Sequence, residues 1–125
     1  MIAGCKRSRA FTMPMMIGFS RQRRQLLEAE LQRLVVELPP LGVRRMYLTG
    51  ELARGAADPE AELELVIVQE TDEPFHRRPD FFVAHVRPRI ATRFVVFTPA
   101  EFEELKGTDP VLREAVRTGE VVIGG

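Results

Sequence analysis

Two carboxylates separated by a single residue, Glu62 and Glu64, are the side chains of this sequence best suited to chemistry. They lie in residues 62–69, where the side chains alternate in character as they do in a β-strand. Residues two apart on a strand point the same way, with Cα atoms about 6.6–6.8 Å apart, so the pair is expected to project side by side. Carboxylate oxygens suit Mg²⁺, but a Glu-x-Glu without further context is more often a solvated strand face. The meaning of the pair therefore depends on the elements around it.

A strand and a short helix are predicted immediately before the two glutamates. Residues 43–49 form a strand-like run that ends at Gly50. Residues 51–55 indicate a short helix closed by Gly55, which can adopt a positive φ. The motif formed here is Gly50–Glu51 followed by Ala53–Arg54–Gly55. By themselves the two glycines are also typical of simple turns.

A later strand supplies a third position. Residues 90–97 alternate, with Arg93, Val95 and Phe97 on one face. They lead into Thr98–Pro99–Ala100–Glu101, which is a capping box with proline at the first helical position. A helix is therefore predicted to begin there.

Taken together, these segments resemble the minimal, single-domain version of the nucleotidyltransferase fold of the DNA polymerase β type, over roughly residues 26–123. Members of that family carry Gly-Ser after the first strand, Asp-x-Asp on the second and one more Asp on the third. The three acids hold two divalent metal ions that clamp a nucleoside triphosphate. The resemblance implies metal ligands at Glu62 and Glu64, and catalytic positions at these two residues and Arg93. It implies that the cofactor is bound by Gly50, Glu51, Arg54 and Gly55.

The chemical residues of the family motif are altered in this chain. Glu51 stands where the family has serine, and it places a negative charge where a triphosphate is expected. Glu62 and Glu64 replace aspartates and are one methylene longer, which displaces any Mg²⁺ that they bind. Arg93 replaces the third acid, and neither of its neighbours in the sequence is an acid. We therefore expect Arg93 to form an ion pair with Glu64 or Glu62 that takes the place of the metal site.

The resemblance thus implies a nucleotidyltransferase-like protein with a degenerate metal site, impaired in catalysis and acting as a binding module of the antitoxin type. Family members are often encoded beside a helical protein of the HEPN type, which is the expected partner. Residues 58–73, which are rich in acids, and the arginines from Arg77 to Arg93 are the candidate contact regions. The alternative is an active enzyme that uses Mg²⁺ and ATP, or another nucleoside triphosphate, to transfer a nucleotide to a protein or small molecule. Whether the chain is an enzyme stays open at this point.

Composition and net charge limit the class of protein, its location and the partners that it can bind. With 125 residues, 45% of them hydrophobic and 29% charged, the chain is an ordinary single soluble domain. Its net charge is zero, so nucleic-acid binding through the basic residues before position 25 is the weakest hypothesis. The single Cys5 excludes an internal disulfide. With no apolar run long enough for a membrane span or a signal peptide, a cytoplasmic location is expected.

The complete pattern predicts an α/β (α+β) fold, with a small mixed β-sheet flanked by helices in the order α-β-α-β-α-β-α-α-β. Residues 1–19 are expected to form a flexible basic arm, because glycine and proline interrupt it, and residues 20–125 the domain. A first helix is predicted at residues 20–38, capped by Ser20. Residues 80–87 favour a helix, with an edge strand at residues 81–86 as the alternative. A last helix to about residue 117 and a strand at residues 121–123 complete the pattern.

Overall fold

The computed structural model describes residues 12–55 and 59–124, and in this part of the chain it contains five α-helices and one four-stranded sheet. The helices are α1 (Thr12–Glu37), α2 (Gly50–Ala53), α3 (Arg78–Val86), α4 (Pro99–Leu105) and α5 (Pro110–Thr118). The strands are β1 (Arg45–Thr49), β2 (Leu63–Val68), β3 (Thr92–Phe97) and β4 (Glu120–Ile123). Their order across the sheet is β3-β2-β1-β4, with β2 and β3 parallel and the other neighbours antiparallel. The predicted fold class and order of elements are confirmed.

The first helix is longer than predicted. It begins at Thr12, so Ser20 lies within the helix rather than at its cap, and residues 12–19 are helical instead of an irregular arm. Pro14 is tolerated because the first four N–H groups of a helix have no intrahelical partner, and proline only removes one of these. Gly18 costs about 1 kcal/mol relative to alanine, which a helix of this length can absorb. Residues 1–11 of the predicted arm, including Cys5, lie outside the described residues.

The sheet separates two apolar layers, as the alternation of β2 predicts. Leu63, Leu65 and Ile67 point into one layer, where α1 and α3 supply side chains such as Leu27 and Phe82. The opposite layer includes Val66 and Val68 of β2, and it is covered by α4 and α5 through the buried residues Phe102, Leu112 and Ala115. Glu64 belongs to this second face but lies at its end, where the apolar layer stops. None of the described helices has the length and apolar character needed to cross a lipid bilayer.

The helix predicted over residues 80–87 is confirmed, and the edge-strand alternative is wrong. In α3, Phe82 and Val86 are buried while Ala84 between them is exposed, which fits a helix, since a strand would place all three on one face. The capping box is also confirmed. Thr98 Oγ1 accepts from the Glu101 N–H at 3.1 Å, and Glu101 Oε1 accepts from the Thr98 N–H at 3.0 Å.

Two buried charged residues connect these elements. Glu30 of α1, only 5% exposed, accepts from Arg33 Nε at 2.9 Å and Nη2 at 2.8 Å, and from the Arg89 backbone N–H at 2.8 Å. The Arg33 guanidinium lowers the pKa of Glu30. Arg78 binds both carboxylate oxygens of Glu101, at 2.6 and 3.1 Å. The bond from the Arg89 N–H to Glu30 joins α1 to the loop before β3, and the Arg78–Glu101 pair joins α3 to α4.

Candidate functional site

One row of residues crosses three strands at the end of the sheet. The register pairs Thr49 of β1 with Glu64 of β2, and Glu64 with Arg93 of β3. By strand alternation all three face the side of the sheet that carries α4 and α5. The prediction that Arg93 lies beside Glu64 is confirmed by this parallel register. The neighbour of Glu64 on β3 is therefore a residue with a guanidinium group.

The predicted ion pair of Arg93 is not formed. Among the described side chains, no ion pair joins Arg93 to Glu64 or Glu62, and Arg93 is exposed on the edge strand. An exposed pair gains little in water and requires two long side chains to be ordered, so register alone does not bring the charges together. An exposed arginine on an edge strand also discourages pairing with another chain.

The carboxylate of Glu64 is instead directed across β1 towards Gly50. A Cβ built on Gly50 would lie 2.6 Å from Glu64 Oε2 and 2.7 Å from its Cδ. Gly50 has φ +79°, a left-handed conformation that L side chains rarely adopt. Glycine is thus required here by its own backbone and by the close approach of Glu64. Gly55 also has a positive φ of +82°, but a Cβ there would meet no atom within 4 Å.

An open cavity of about 290 Å³ adjoins this contact. It brings together three of the predicted site residues, Gly50, Arg54 and Glu64, and its remaining lining comes from Thr49, Pro110, Val111 and Glu114. Arg54 Nη1 lies 3.9 Å from Glu114 Oε2, so the cation of the motif is directed to α5. The sequence analysis missed the contribution of α5, because nothing in residues 110–114 indicates that the helix packs beside Gly50.

The other predicted site residues do not line this cavity. Glu62 precedes β2 and is exposed, Glu51 is half-buried in the first turn of α2, and Gly55 and Arg93 lie outside the lining. Within residues 12–55 and 59–124, no three His, Cys, Asp or Glu side chains converge as metal ligands. Mg²⁺ requires near-octahedral oxygen coordination, and one half-buried carboxylate directed at a glycine does not provide it. The residues present do not fit the two-metal centre that the resemblance implies.

Two cations of the first helix are used inside the molecule. Arg23 Nε donates to the Ala61 carbonyl at 2.8 Å, and Arg24 donates to the Gly55 carbonyl. These bonds bracket the segment between α2 and β2 and attach both of its ends to α1. Each bond uses one of the five donors of its guanidinium, so both arginines have a structural role in the fold.

The candidate contact regions are divided by the fold. Glu60 and Glu62 lie before β2, whereas Glu70, Asp72 and Glu73 follow it, and six strand residues separate the two groups by about 20 Å. Of the arginines, Arg78 is buried in its pair with Glu101 and is not accessible to a partner. The acidic region therefore does not form one continuous patch, and Arg78 does not contribute to the basic region.

Comparisons with known proteins add no relative. No protein-family model matches the sequence. No curated protein matches it either, and no solved structure is significantly similar. The nucleotidyltransferase resemblance thus depends on the motif residues of the sequence alone.

Proposed function

We propose that this chain is a nucleotidyltransferase-like protein that acts by binding a partner, as a module of the antitoxin type, without metal-dependent transfer of its own. The observation that supports this most strongly is the register that sets Arg93 beside Glu64. A guanidinium stays protonated at any physiological pH and has no lone pair for a metal, so it cannot replace a ligating carboxylate. This argument holds whether or not Arg93 forms an ion pair.

The position of Glu64 supports the same proposal. In the resembled family, the glycine after the first strand leaves room for the backbone to approach the phosphates. Here the carboxylate of Glu64 lies against that glycine, and Glu51 is in the first turn of the helix that follows. Two negative charges next to Gly50 oppose the entry of a triphosphate, which is itself highly charged.

The proposed partner is a helical protein of the HEPN type, encoded beside this chain. The exposed charges at the Arg93 end of the sheet, Glu62 together with Arg87, Arg89 and Arg93, are available for this contact. Charged groups of both signs at the rim of an interface fix register and discriminate against wrong partners. Size-exclusion chromatography with the product of the neighbouring gene tests the proposal, because a partner comigrates with this chain. Two species that migrate independently contradict it.

The second candidate is an active enzyme, favoured by one observation. The cavity of about 290 Å³ beside Gly50, Arg54 and Glu64 is open, and Arg54 lies at its wall, where a phosphate would need a cation. Incubation with α-labelled ATP and Mg²⁺ or Mn²⁺, with and without the neighbouring gene product, decides between the two. Label transferred to either protein establishes the enzyme. No label, together with no heat on titration of ATP, supports the binding module.

A further inference from the structure

A larger groove of about 410 Å³ lies on the opposite side of the sheet from the Thr49–Glu64–Arg93 row. It is formed where α1, the end of β1, α2 and the start of β4 meet. The floor is apolar and consists of Leu31, Leu48 and Leu52, all largely buried. The rim is polar and consists of Glu28, Gln32 and Glu120.

The two rim carboxylates form no ion pair with the described residues. Across residues 12–55 and 59–124, neither Glu28 nor Glu120 takes part in an ion pair or a side-chain hydrogen bond. Glu28 comes from the middle of α1 and Glu120 from the first residue of β4, so the two acids reach the groove from different elements. A ligand with aliphatic and cationic groups matches an apolar floor below two carboxylates.

The groove continues into the free edge of the sheet. Within the described part of the chain, β4 pairs with β1 on one side only, and Glu120 both begins this strand and lines the groove. The opposite edge strand, β3, carries the exposed Arg93, whereas β4 has no basic residue to discourage a pairing strand. An extended segment can therefore hydrogen-bond to β4 while its side chains enter the groove.

We propose that this groove and the edge of β4 bind a basic, aliphatic segment of a protein partner. An arginine or lysine of that segment lies between Glu28 and Glu120, and a leucine- or valine-sized side chain lies on the floor. Nucleic acid does not fit, because its phosphates are repelled by both carboxylates. A second copy of β4 does not fit either, since that strand has no cation to offer. The assignment builds on the proposed binding role and names the surface and the partner chemistry.

Methyl NMR of the full chain tests the groove directly. The probe is the peptide acetyl-Leu-Thr-Arg-Thr-Leu-amide, whose leucines and arginine lie on one face of an extended chain, and the matched control is the same peptide with glutamate at the arginine position. We expect the arginine peptide to shift the methyl signals of Leu31, Leu48 and Leu52, and the glutamate peptide to leave them unchanged. Equal shifts with both peptides, or none with either, overturn the proposal.

A double variant, Glu28→Gln with Glu120→Gln, tests the role of the rim. Both side chains are exposed, so the fold is retained and the affinity for the arginine peptide falls about fivefold. Glu104→Gln, an exposed acid on α4, leaves the affinity unchanged. Unchanged affinity in the double variant contradicts the assignment of the carboxylates.

Two further outcomes are informative. If light scattering shows a dimer that the peptide cannot enter, the occupant is a second copy and the proposal is wrong. If the peptide binds as expected while ATP is turned over, the groove assignment stands and the proposed function fails. Binding in the groove and catalysis at Gly50 are thus separable, because they lie on opposite faces of the sheet.

Discussion

The carboxylate of Glu64 lies against Gly50, so closely that a Cβ on the glycine would be 2.6 Å from Glu64 Oε2. This contact joins the end of β1 to the exposed end of β2. It determines which way the half-buried carboxylate of Glu64 points. It also makes Gly50 sensitive to substitution for two separate reasons, backbone conformation and steric overlap.

Gly50→Ala is expected to destabilise the protein by about 2–4 kcal/mol, because it adds a left-handed alanine and a clash with Glu64. Thermal unfolding followed by circular dichroism measures this as a loss of about 8–15 °C in Tm. Gly55→Ala is the matched control, since it has a similar φ but no neighbour within 4 Å. We expect this control to cost only about 1–2 kcal/mol. Adding Glu64→Ala to Gly50→Ala should remove the clash, so the double variant should lose only as much stability as Gly55→Ala. Equal losses in Gly50→Ala and Gly55→Ala contradict the steric overlap with Glu64.

The sequence predicts the fold well because its signals are local. The alternation of residues 62–69, the capping box at Thr98 and the prolines that begin α4 and α5 all act within a few residues, and all appear in the structure. Pro14 and Gly18 of α1 were misleading, since a helix start tolerates proline and a long helix tolerates one glycine. Only part of the candidate site can be predicted from the sequence. Register places Arg93 beside Glu64, but the direction of each side chain depends on Gly50 and on α5, which are distant in sequence.

Glu30 is expected to make stability depend on acid pH. Its pKa is lowered in the folded protein by hydrogen bonding to Arg33, so its contribution is fully present above the unfolded pKa. The contribution is lost as the pH falls below about 4.5 and then through the lower pKa that Glu30 has in the folded protein. Glu30→Gln should cost about 1.5–3 kcal/mol at pH 7, the usual contribution of hydrogen bonds to a charged group.

Urea unfolding at intervals from pH 7 to pH 3 measures this difference. The difference in unfolding free energy between the wild-type protein and Glu30→Gln should decrease below pH 4.5. The unfolding free energy of Glu104→Gln should match that of the wild type at every pH. If the difference in unfolding free energy does not change with pH, packing and not the charge of Glu30 determines how much this residue stabilises the protein.

Arg78 is expected to be essential for stability although it lies in the predicted contact region. Its guanidinium donates to both oxygens of Glu101, to the Val96 carbonyl at 3.1 Å and to the Glu73 carbonyl at 2.9 Å. Lysine cannot reproduce this planar set of donors, so Arg78→Lys should cost about 2–4 kcal/mol in urea unfolding. The adjacent Arg77 is exposed, and Arg77→Lys is the matched control with no expected change. Equal stability of the two variants contradicts the structural role.

Restoring the third acid tests the central claim about the metal site. Arg93→Asp places a carboxylate next to Glu64 in the parallel register, where Glu64 can turn from Gly50 to share a cation. Without metal, the variant should be less stable, because it crowds like charges at one end of the sheet. With Mg²⁺ or Mn²⁺ at about 100 times the dissociation constant, it should gain about 2.7 kcal/mol, seen as a rise of several degrees in Tm. Arg93→Ala removes the cation without adding a ligand, so its Tm should not respond to either metal. If Arg93→Asp melts at the same temperature with and without the ions, Arg93 does not stand at the position of a metal ligand.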